Sequence, residues 1–117
     1  MKNSKLTPPI LIGRNATIGS ETNLGPNAVL GENVLVGDKV RISNSIIFND
    51  VKIGEKSTIT GAIIASNSTV GKGVRIERGA IISPKVSIGD GVRVGKGAII
   101  HPYKEINRHI NARVQVM

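Results

Sequence analysis

An aliphatic residue returns every six positions through almost the whole chain, and this rhythm restricts the possible folds more than any other feature of the sequence. A helix requires a period near 3.6 residues and a single strand a period of two, so neither explains a sustained period of six. Sixteen positions carry the rhythm: Ile12, Ile18, Leu24, Leu30, Val36, Ile42, Ile47, Ile53, Ile59, Ile64, Val70, Ile76, Ile82, Ile88, Val94 and Ile100. Because such self-similarity is typical of repeat architectures, the sequence predicts an all-β fold, a parallel β-helix built from six-residue repeats.

Each six-residue repeat is predicted to form a short strand that ends in a tight turn. The residue two before each aliphatic position is small or β-branched, and both side chains enter the core because a strand alternates its faces. Gly follows the aliphatic position in nine repeats, and Asn or Gly stands two residues further on in eight. These residue types tolerate the positive φ that a sharp corner requires. Three such sides close a triangular coil of about 18 residues, so the sixteen repeats predict a little over five coils.

Two steps of the rhythm are five residues long, and both are expected to shorten a corner, at residues 43–44 and 60–61. With these corners included, the outward residues of every third strand fall on one face. One face is aliphatic on every coil and is called the apolar ribbon: Leu11, Val29, Ile46, Ile63, Ile81 and Ile99. A second face is mixed: Thr17, Leu35, Lys52, Thr69 and Ser87. The third, called the basic face, carries three arginines: Asn23, Arg41, Thr58, Arg75 and Arg93.

The apolar ribbon is the main candidate for a functional surface. An aliphatic surface of this length is not expected to face water in a soluble protein, so it predicts an interface with another subunit or domain. A cover formed by the chain's own residues 110–116 is the simpler alternative, but so short a segment could hide only part of the ribbon. The basic face could bind phosphates, although composition alone favours an ordinary solvated face.

Length, charge and composition exclude several other functions. At 117 residues the chain supports one domain, with residues 10–106 as the β-helix, 1–9 as a lead-in and 107–117 as a C-terminal cap or tail. The net charge of +8 suggests nucleic-acid binding, but the basic residues are dispersed and lack stacking aromatics, so no nucleic-acid partner is expected. Without cysteine, neither disulfides nor thiolate metal sites can form. No signal peptide or membrane span is recognisable, and we therefore expect a cytoplasmic protein without a membrane partner.

Several segments resemble the C-terminal domain of sugar-nucleotide pyrophosphorylases, and of mannose-1-phosphate guanylyltransferases in particular. Residues 8–13 (PPILIG) resemble the start of its first coil, and residues 44–54 (NSIIFNDVKIG) resemble its shortened corner and the strand that follows. Residues 99–106 (IIHPYKEI) resemble its closing segment in their aliphatic, Pro and Lys positions. The chain also ends in Val116 and Met117, similar to the ending of several guanylyltransferases.

This resemblance implies a left-handed β-helix that serves as the non-catalytic assembly domain of a sugar-phosphate nucleotidylyltransferase. The parent enzyme would convert a nucleoside triphosphate and a sugar 1-phosphate, with GTP and mannose 1-phosphate as the expected pair, into a nucleotide sugar and diphosphate. Its chemistry would lie in a separate catalytic nucleotidyltransferase domain that holds Mg²⁺, and no segment of this chain resembles that domain. For this chain the resemblance implies no catalytic, cofactor-binding or metal-binding residue, and a homo-oligomer, with a trimer favoured.

Two alternative functions remain open on the sequence. Acyltransferases with six-residue repeats use a His as general base between subunits, and this chain offers His101 and His109, both at or beyond the last coil. We expect His101 to belong to the cap that closes the core instead. A β-helix carbonic anhydrase would need three His on zinc, which two cannot supply. The other alternative is a stand-alone scaffold without an enzymatic parent, against which the closing segment argues.

Overall fold

The computed structural model describes residues 2–117, which form nineteen short β-strands. Each strand is two or three residues long, because a corner interrupts the chain after every side of a coil. No helix within residues 2–117 is long and apolar enough to cross a membrane. In chain order the strands are β1 (Lys5–Leu6), β2 (Ile10–Ile12), β3 (Thr17–Ile18), β4 (Asn23–Leu24), β5 (Ala28–Leu30), β6 (Leu35–Val36), β7 (Arg41–Ser43), β8 (Ser45–Ile47), β9 (Lys52–Ile53), β10 (Thr58–Thr60), β11 (Ile63–Ile64), β12 (Thr69–Val70), β13 (Arg75–Ile76), β14 (Ile81–Ile82), β15 (Ser87–Ile88), β16 (Arg93–Val94), β17 (Ile99–Ile100), β18 (Glu105–Ile106) and β19 (Gln115–Val116).

The strands form three parallel sheets, one for each side of a triangular coil. From β1 to β15, every strand pairs with the strand three places further along the chain. Sheet A contains β1, β4, β7, β10, β13 and β16. Sheet B contains β2, β5, β8, β11, β14, β17 and β19, and sheet C contains β3, β6, β9, β12, β15 and β18. The predicted all-β parallel β-helix is confirmed, with about 6 turns.

Strand pairing extends beyond the predicted limits of residues 10–106 at both ends. At the N-terminus β1 pairs with β4, so Lys5 and Leu6 already belong to the first coil. At the C-terminus β19 pairs with β17, and Ile110 forms an isolated parallel bridge with Val94. Residues expected to form a lead-in and a tail therefore supply strands. These strands explain why the structure has about six turns, whereas the sixteen repeats predicted a little over five.

The core is a column of aliphatic side chains that the strand pairing aligns from coil to coil. Ile59, for example, is fully buried and pairs in register with its counterparts on the preceding and following coils. Ser57, two positions earlier, is buried as well. Its Oγ donates to the carbonyl oxygen of Gly71 at 2.8 Å and accepts from the N–H of Val74 at 3.1 Å. The next coil thus satisfies a hydroxyl that would otherwise be costly to bury.

Glycine serves the corners for two different reasons, of which the sequence predicted one. The corner position that lies three residues after the aliphatic residue has positive φ, as expected, with 58° at Asn33 and 64° at Gly73. Among the nine glycines that directly follow the aliphatic position, only Gly25 has positive φ, so that part of the expectation is wrong. A Cβ on Gly71 would instead lie 2.5 Å from Oδ1 of Asp90 on the next coil. That carboxylate accepts a backbone N–H of the preceding coil at 2.8 Å, so glycine is needed there for space.

The two five-residue steps shorten the same corner, between sheets A and B, on successive coils. Asn44 alone separates β7 from β8 and has a φ of 51°. Gly61 takes the equivalent place after β10 with a φ of 65°. The predicted shortened corners are therefore confirmed. Because both lie on one edge of the prism, the register of all three sheets continues through these coils.

The two ends of the core differ in how well they are closed. At the C-terminal end Ile106 and Ile110 are almost fully buried, and the partly buried Val116 packs against the core. His101 lies at the corner after β17, where its Nε2 is 3.4 Å from Oε1 of Gln115. Aliphatic side chains rather than this imidazole therefore close the core, which corrects the expected role of His101. At the N-terminal end Leu6, Ile10 and Ile18 are only partly buried, and Ile12, which the repeat predicted to lie in the core, is 40% exposed because no further coil covers it.

Replacing Ile59 by Ala should destabilise the fold far more than replacing Lys72 by Ala. The first change removes packing from two neighbouring coils and is expected to cost ~2–5 kcal/mol in free energy of unfolding. The second shortens an exposed side chain at a corner. The hydrogen bond of Lys72 to Asp90 is made by its backbone N–H and is kept, so the loss should stay within ~0.5 kcal/mol. Chemical denaturation of both variants measures the difference. Equal losses would contradict the register of the core.

Gly71→Ala should destabilise the chain more than Gly89→Ala. A Cβ at Gly71 would meet Oδ1 of Asp90 at 2.5 Å and its backbone nitrogen at 2.8 Å, and overpacking of this kind typically costs ~1–3 kcal/mol. At Gly89 the nearest atom is the side-chain Oδ1 of Asn107 at 2.8 Å, which can rotate away. Melting temperatures followed by circular dichroism test the order. If Gly89→Ala were the more damaging change, coils would not approach closely at Gly71.

Candidate functional site on the apolar face of sheet B

The apolar ribbon forms a single row along sheet B. Strand pairing places each of its side chains directly beside the next one: Leu11 with Val29, Val29 with Ile46, Ile46 with Ile63, Ile63 with Ile81, and Ile81 with Ile99. Successive rungs are about 4.8 Å apart, so the row extends over roughly 24 Å. The structure thus brings together all six residues that the sequence assigned to one face.

The ribbon is open to solvent over most of its length. Leu11 is 69% exposed, and Ile46, Ile63 and Ile81 are 41%, 38% and 39% exposed. Val29 and Ile99 are half-buried between their neighbours. A continuous row of exposed aliphatic side chains is uncommon on a protein surface unless it contacts another surface.

The C-terminal segment does not cover the ribbon. Residues 110–116 extend the stack of coils instead, because β19 adds to the edge of sheet B beside β17. In that register Gln115 lies next to Ile99, so the aliphatic row ends at a polar side chain. The simpler alternative weighed on the sequence, a cover made by the chain itself, is therefore wrong.

An apolar groove of about 690 Å³ lies at the N-terminal end of the ribbon, and the sequence analysis missed it. Its lining combines the first three rungs with the corner that precedes them: Pro8, Pro9, Ile10, Leu11, Asn27, Ala28, Val29, Asn44, Ser45 and Ile46. The two prolines fell within the predicted lead-in, outside the repeats that were counted. The PP dipeptide directly before β2 was the signal available in the sequence.

The margins of the ribbon are partly polar. On the side of the corner between sheets A and B, Nδ2 of Asn27 donates to Oδ1 of Asn44 at 2.9 Å across successive coils. On the other side Phe48 follows β8 directly and is 46% exposed, which adds apolar surface at that corner. An apolar centre with a polar rim is the usual composition of a protein–protein interface.

The basic face runs along sheet A in the same orderly way. One row of paired positions contains Lys5, Asn23, Arg41, Thr58, Arg75 and Arg93. The sequence analysis had assigned all of these residues except Lys5 to this face. Within residues 2–117 one ion pair forms, between Arg14 and Glu32 at 3.6 Å. It lies at the corner between sheets B and C, away from the basic face. A depression of about 250 Å³ adjoins this row near Arg75.

The residues that could support catalysis are few and dispersed. Nδ1 of His109 accepts the backbone N–H of Arg93 at 3.0 Å and so replaces a carbonyl at the edge of sheet A. In the part of the chain that the structure describes, no hydrogen bond joins His101 or His109 to a carboxylate. Nor do three His, Asp or Glu side chains come together there as a possible metal site.

Solved structures of transferases share this fold. The acetyltransferase domain of PglB from Neisseria gonorrhoeae is similar with a TM-score of 0.80 and 23% identity, over 96% of this chain and 53% of that one. A hexapeptide transferase family protein from Anaplasma phagocytophilum gives a TM-score of 0.73 at 18% identity, over 90% and 70%. The UDP-N-acetylglucosamine acyltransferase of Francisella novicida gives 0.65 at 16% identity, over 99% and 59%. These likenesses show the fold, and the chain spans 53%, about half, of the first of these proteins.

Comparison with curated proteins finds no match. The model of the family described as "GMPPB C-terminal domain" matches residues 6–116, which is almost the whole chain. The match includes the corner at residues 44–54 and the closing segment at residues 99–106, so it confirms the resemblance that those segments suggested. The chain belongs to the GMPPB C-terminal domain family, and its fold is the left-handed β-helix of hexapeptide repeats.

Proposed function

We propose that this chain is the non-catalytic assembly domain of a sugar-phosphate nucleotidylyltransferase. The parent protein would join a nucleoside triphosphate to a sugar 1-phosphate and release diphosphate, in the cytoplasm. The family match over residues 6–116 supports a parent of this class. The resemblance, which places the chemistry and the Mg²⁺ in a separate domain, supports the non-catalytic part of the proposal.

The proposed substrates are GTP and mannose 1-phosphate. They rest on the family match and on the resemblance of residues 99–106 to the closing segment of the guanylyltransferases. The Mg²⁺ needed for attack on the α-phosphorus would be held by the catalytic domain, and this chain is proposed to need no cofactor. Its contribution would be to hold catalytic domains together at fixed spacing.

The observation that carries the assembly role is the straight, exposed apolar ribbon. Burying a fully exposed Ile side chain is worth ~2 kcal/mol, so the 38–69% that Leu11, Ile46, Ile63 and Ile81 still expose would contribute part of that value at each rung toward offsetting the entropy lost on association. The molecule measures 37 × 22 × 20 Å, so a whole face is comparable with the ~800 Å² that each partner buries in a standard interface. The hydrogen-bonded Asn27 and Asn44 would form part of a polar rim.

Closed symmetry is the arrangement that satisfies the ribbon of every subunit. A triangular prism has three faces, and the aliphatic row occupies one of them. Packing that face around a common axis buries each ribbon and leaves no copy exposed at the end of a chain of subunits. We propose a homo-oligomer with a trimer as its favoured form. In a longer parent protein, part of the ribbon would be available to the catalytic domain.

An acyltransferase is the second candidate, because similar folds occur in proteins named as acyltransferases. Their identities of 23% and 16% support the fold alone. Against this candidate, His101 contacts Gln115 and Nδ1 of His109 is occupied by a backbone N–H, so neither imidazole has a partner that would make it a general base.

Purified chain should be inactive in both reactions. With GTP, mannose 1-phosphate and Mg²⁺ it should release no diphosphate above background, and with acetyl-CoA and amine or hydroxyl acceptors it should release no free CoA. Diphosphate release by the chain alone would contradict the non-catalytic assignment. Acetyl transfer that is lost in His101→Ala would favour the acyltransferase, and His109→Ala is the matched control because it removes the other imidazole.

Ile63→Lys should weaken or abolish self-association. The change places a charge at the middle of the ribbon, on a side chain that is already 38% exposed, and leaves the inward residues of β11 untouched. Sedimentation equilibrium should find the parent chain oligomeric and the variant dissociated or more weakly associated. Ser87→Lys is the matched control, since it adds the same charge to an outward position on sheet C. A monomeric parent chain, or equal assembly of both variants, would exclude the ribbon as the interface.

A further inference from the structure

We propose that the basic face carries a binding site for a small anion with two linked phosphoryl groups. The site lies across β13 and β16 and the corners that follow these two strands. Four cationic side chains form it: Arg75, Arg78 and Lys96 line one depression, and Arg93 lies beside Arg75 on the next coil. This proposal concerns sheet A and the corner that joins it to sheet B, and it does not rest on the assembly proposed for the apolar ribbon.

The four cations form two rows on successive coils. Arg75 pairs in register with Arg93, so these like charges lie directly beside each other. The N–H of Gly97 donates to the carbonyl oxygen of Arg78 at 3.0 Å, which places Lys96 one coil beyond Arg78. Like charges in directly opposed positions destabilise a sheet. A bound dianion would remove that repulsion.

No ion pair within residues 2–117 involves this cluster. The ion pair formed within residues 2–117 joins Arg14 to Glu32, at a different corner. Glu77 lines the same depression, yet it forms no ion pair with any basic side chain in that part of the chain. One carboxylate beside four cations leaves a net positive charge, so structural ion pairing does not account for the cluster.

The depression beside these cations suits a phosphoryl group in size and chemistry. Its volume is about 250 Å³, and Thr58 and Thr60 of the preceding coil add two hydroxyl donors to the charged groups. The full lining is Thr58, Thr60, Arg75, Ile76, Glu77, Arg78 and Lys96. Guanidinium groups donate two parallel hydrogen bonds to phosphate oxygens, which gives both affinity and orientation. The rungs are about 4.8 Å apart, so the cations of two successive coils can each contact one of two linked phosphoryl groups.

Isothermal titration calorimetry of the chain with sodium diphosphate, at constant ionic strength, tests the site. We expect saturable binding with one diphosphate per chain, tighter than the binding of inorganic phosphate. Arg75→Gln/Arg93→Gln should weaken diphosphate binding by roughly tenfold or more, because it removes one charge from each row of the site. Unchanged circular dichroism would show that the variant is folded.

Lys39→Gln/Lys56→Gln is the matched control. These lysines also lie on successive coils, because the N–H of Lys56 donates to the carbonyl oxygen of Asp38 at 2.9 Å. They occupy a different corner, the one between sheets C and A. The control removes the same charge and should change affinity by less than about twofold. Equal losses in both variants, absent saturation, or equal affinity for inorganic phosphate would overturn the proposal. Tighter binding of a single-stranded RNA oligonucleotide, lost in the arginine variant, would assign the face to a polyanion instead.

Discussion

Backbone hydrogen bonds between successive coils are the constraint on which the rest of this structure depends. The N–H of Thr58 donates to the carbonyl oxygen of Val74 at 2.8 Å, and the N–H of Ile46 donates to the carbonyl oxygen of Ala62 at 3.0 Å. The same pattern continues along all three sheets. Because the pairing is in register, a residue's place on one coil determines which residues lie before and after it. The core, the apolar ribbon and the basic face are therefore columns of equivalent positions.

Much of the fold follows from the sequence because inward positions must be aliphatic and corners must turn. The rhythm through Ile59 located the core, and the five-residue steps located Asn44 and Gly61 at shortened corners. Leu6 lies six residues before Ile12 and could have been included in the same count. Ile110 could not, because it follows Ile106 by four residues, and Val116 lies six residues after Ile110 in that shifted phase. Nor does the local sequence show why Gly71 must be glycine, since the reason is a carboxylate 19 residues further on, on Asp90.

The candidate surfaces were predictable to different degrees. Counting every third strand was enough to align Leu11 with Ile99 along one face, because alignment depends only on the repeat. Whether residues 110–116 cover that face depends on the path of a segment outside the repeat, which no periodicity specifies. The cation cluster escaped the count for another reason. Arg78 and Lys96 are corner residues, and only the coil-to-coil stacking of corners brings them beside Arg75.

The alignment of columns also fixes the unit in which a domain of this kind can change length during evolution. Ile46 and Ile63 are one coil apart at 17 residues, and Ile63 and Ile81 at 18. Gaining or losing a complete coil lengthens or shortens each face by one residue and preserves its chemistry. Inserting a single hexad before β13 would move every later strand to the neighbouring sheet, so that Arg75 would continue the aliphatic row. Homologues are therefore expected to gain or lose strands by whole coils, because adding one or two sides of a coil would exchange the faces, whereas a change in corner length, as at Asn44 and Gly61, leaves the register intact.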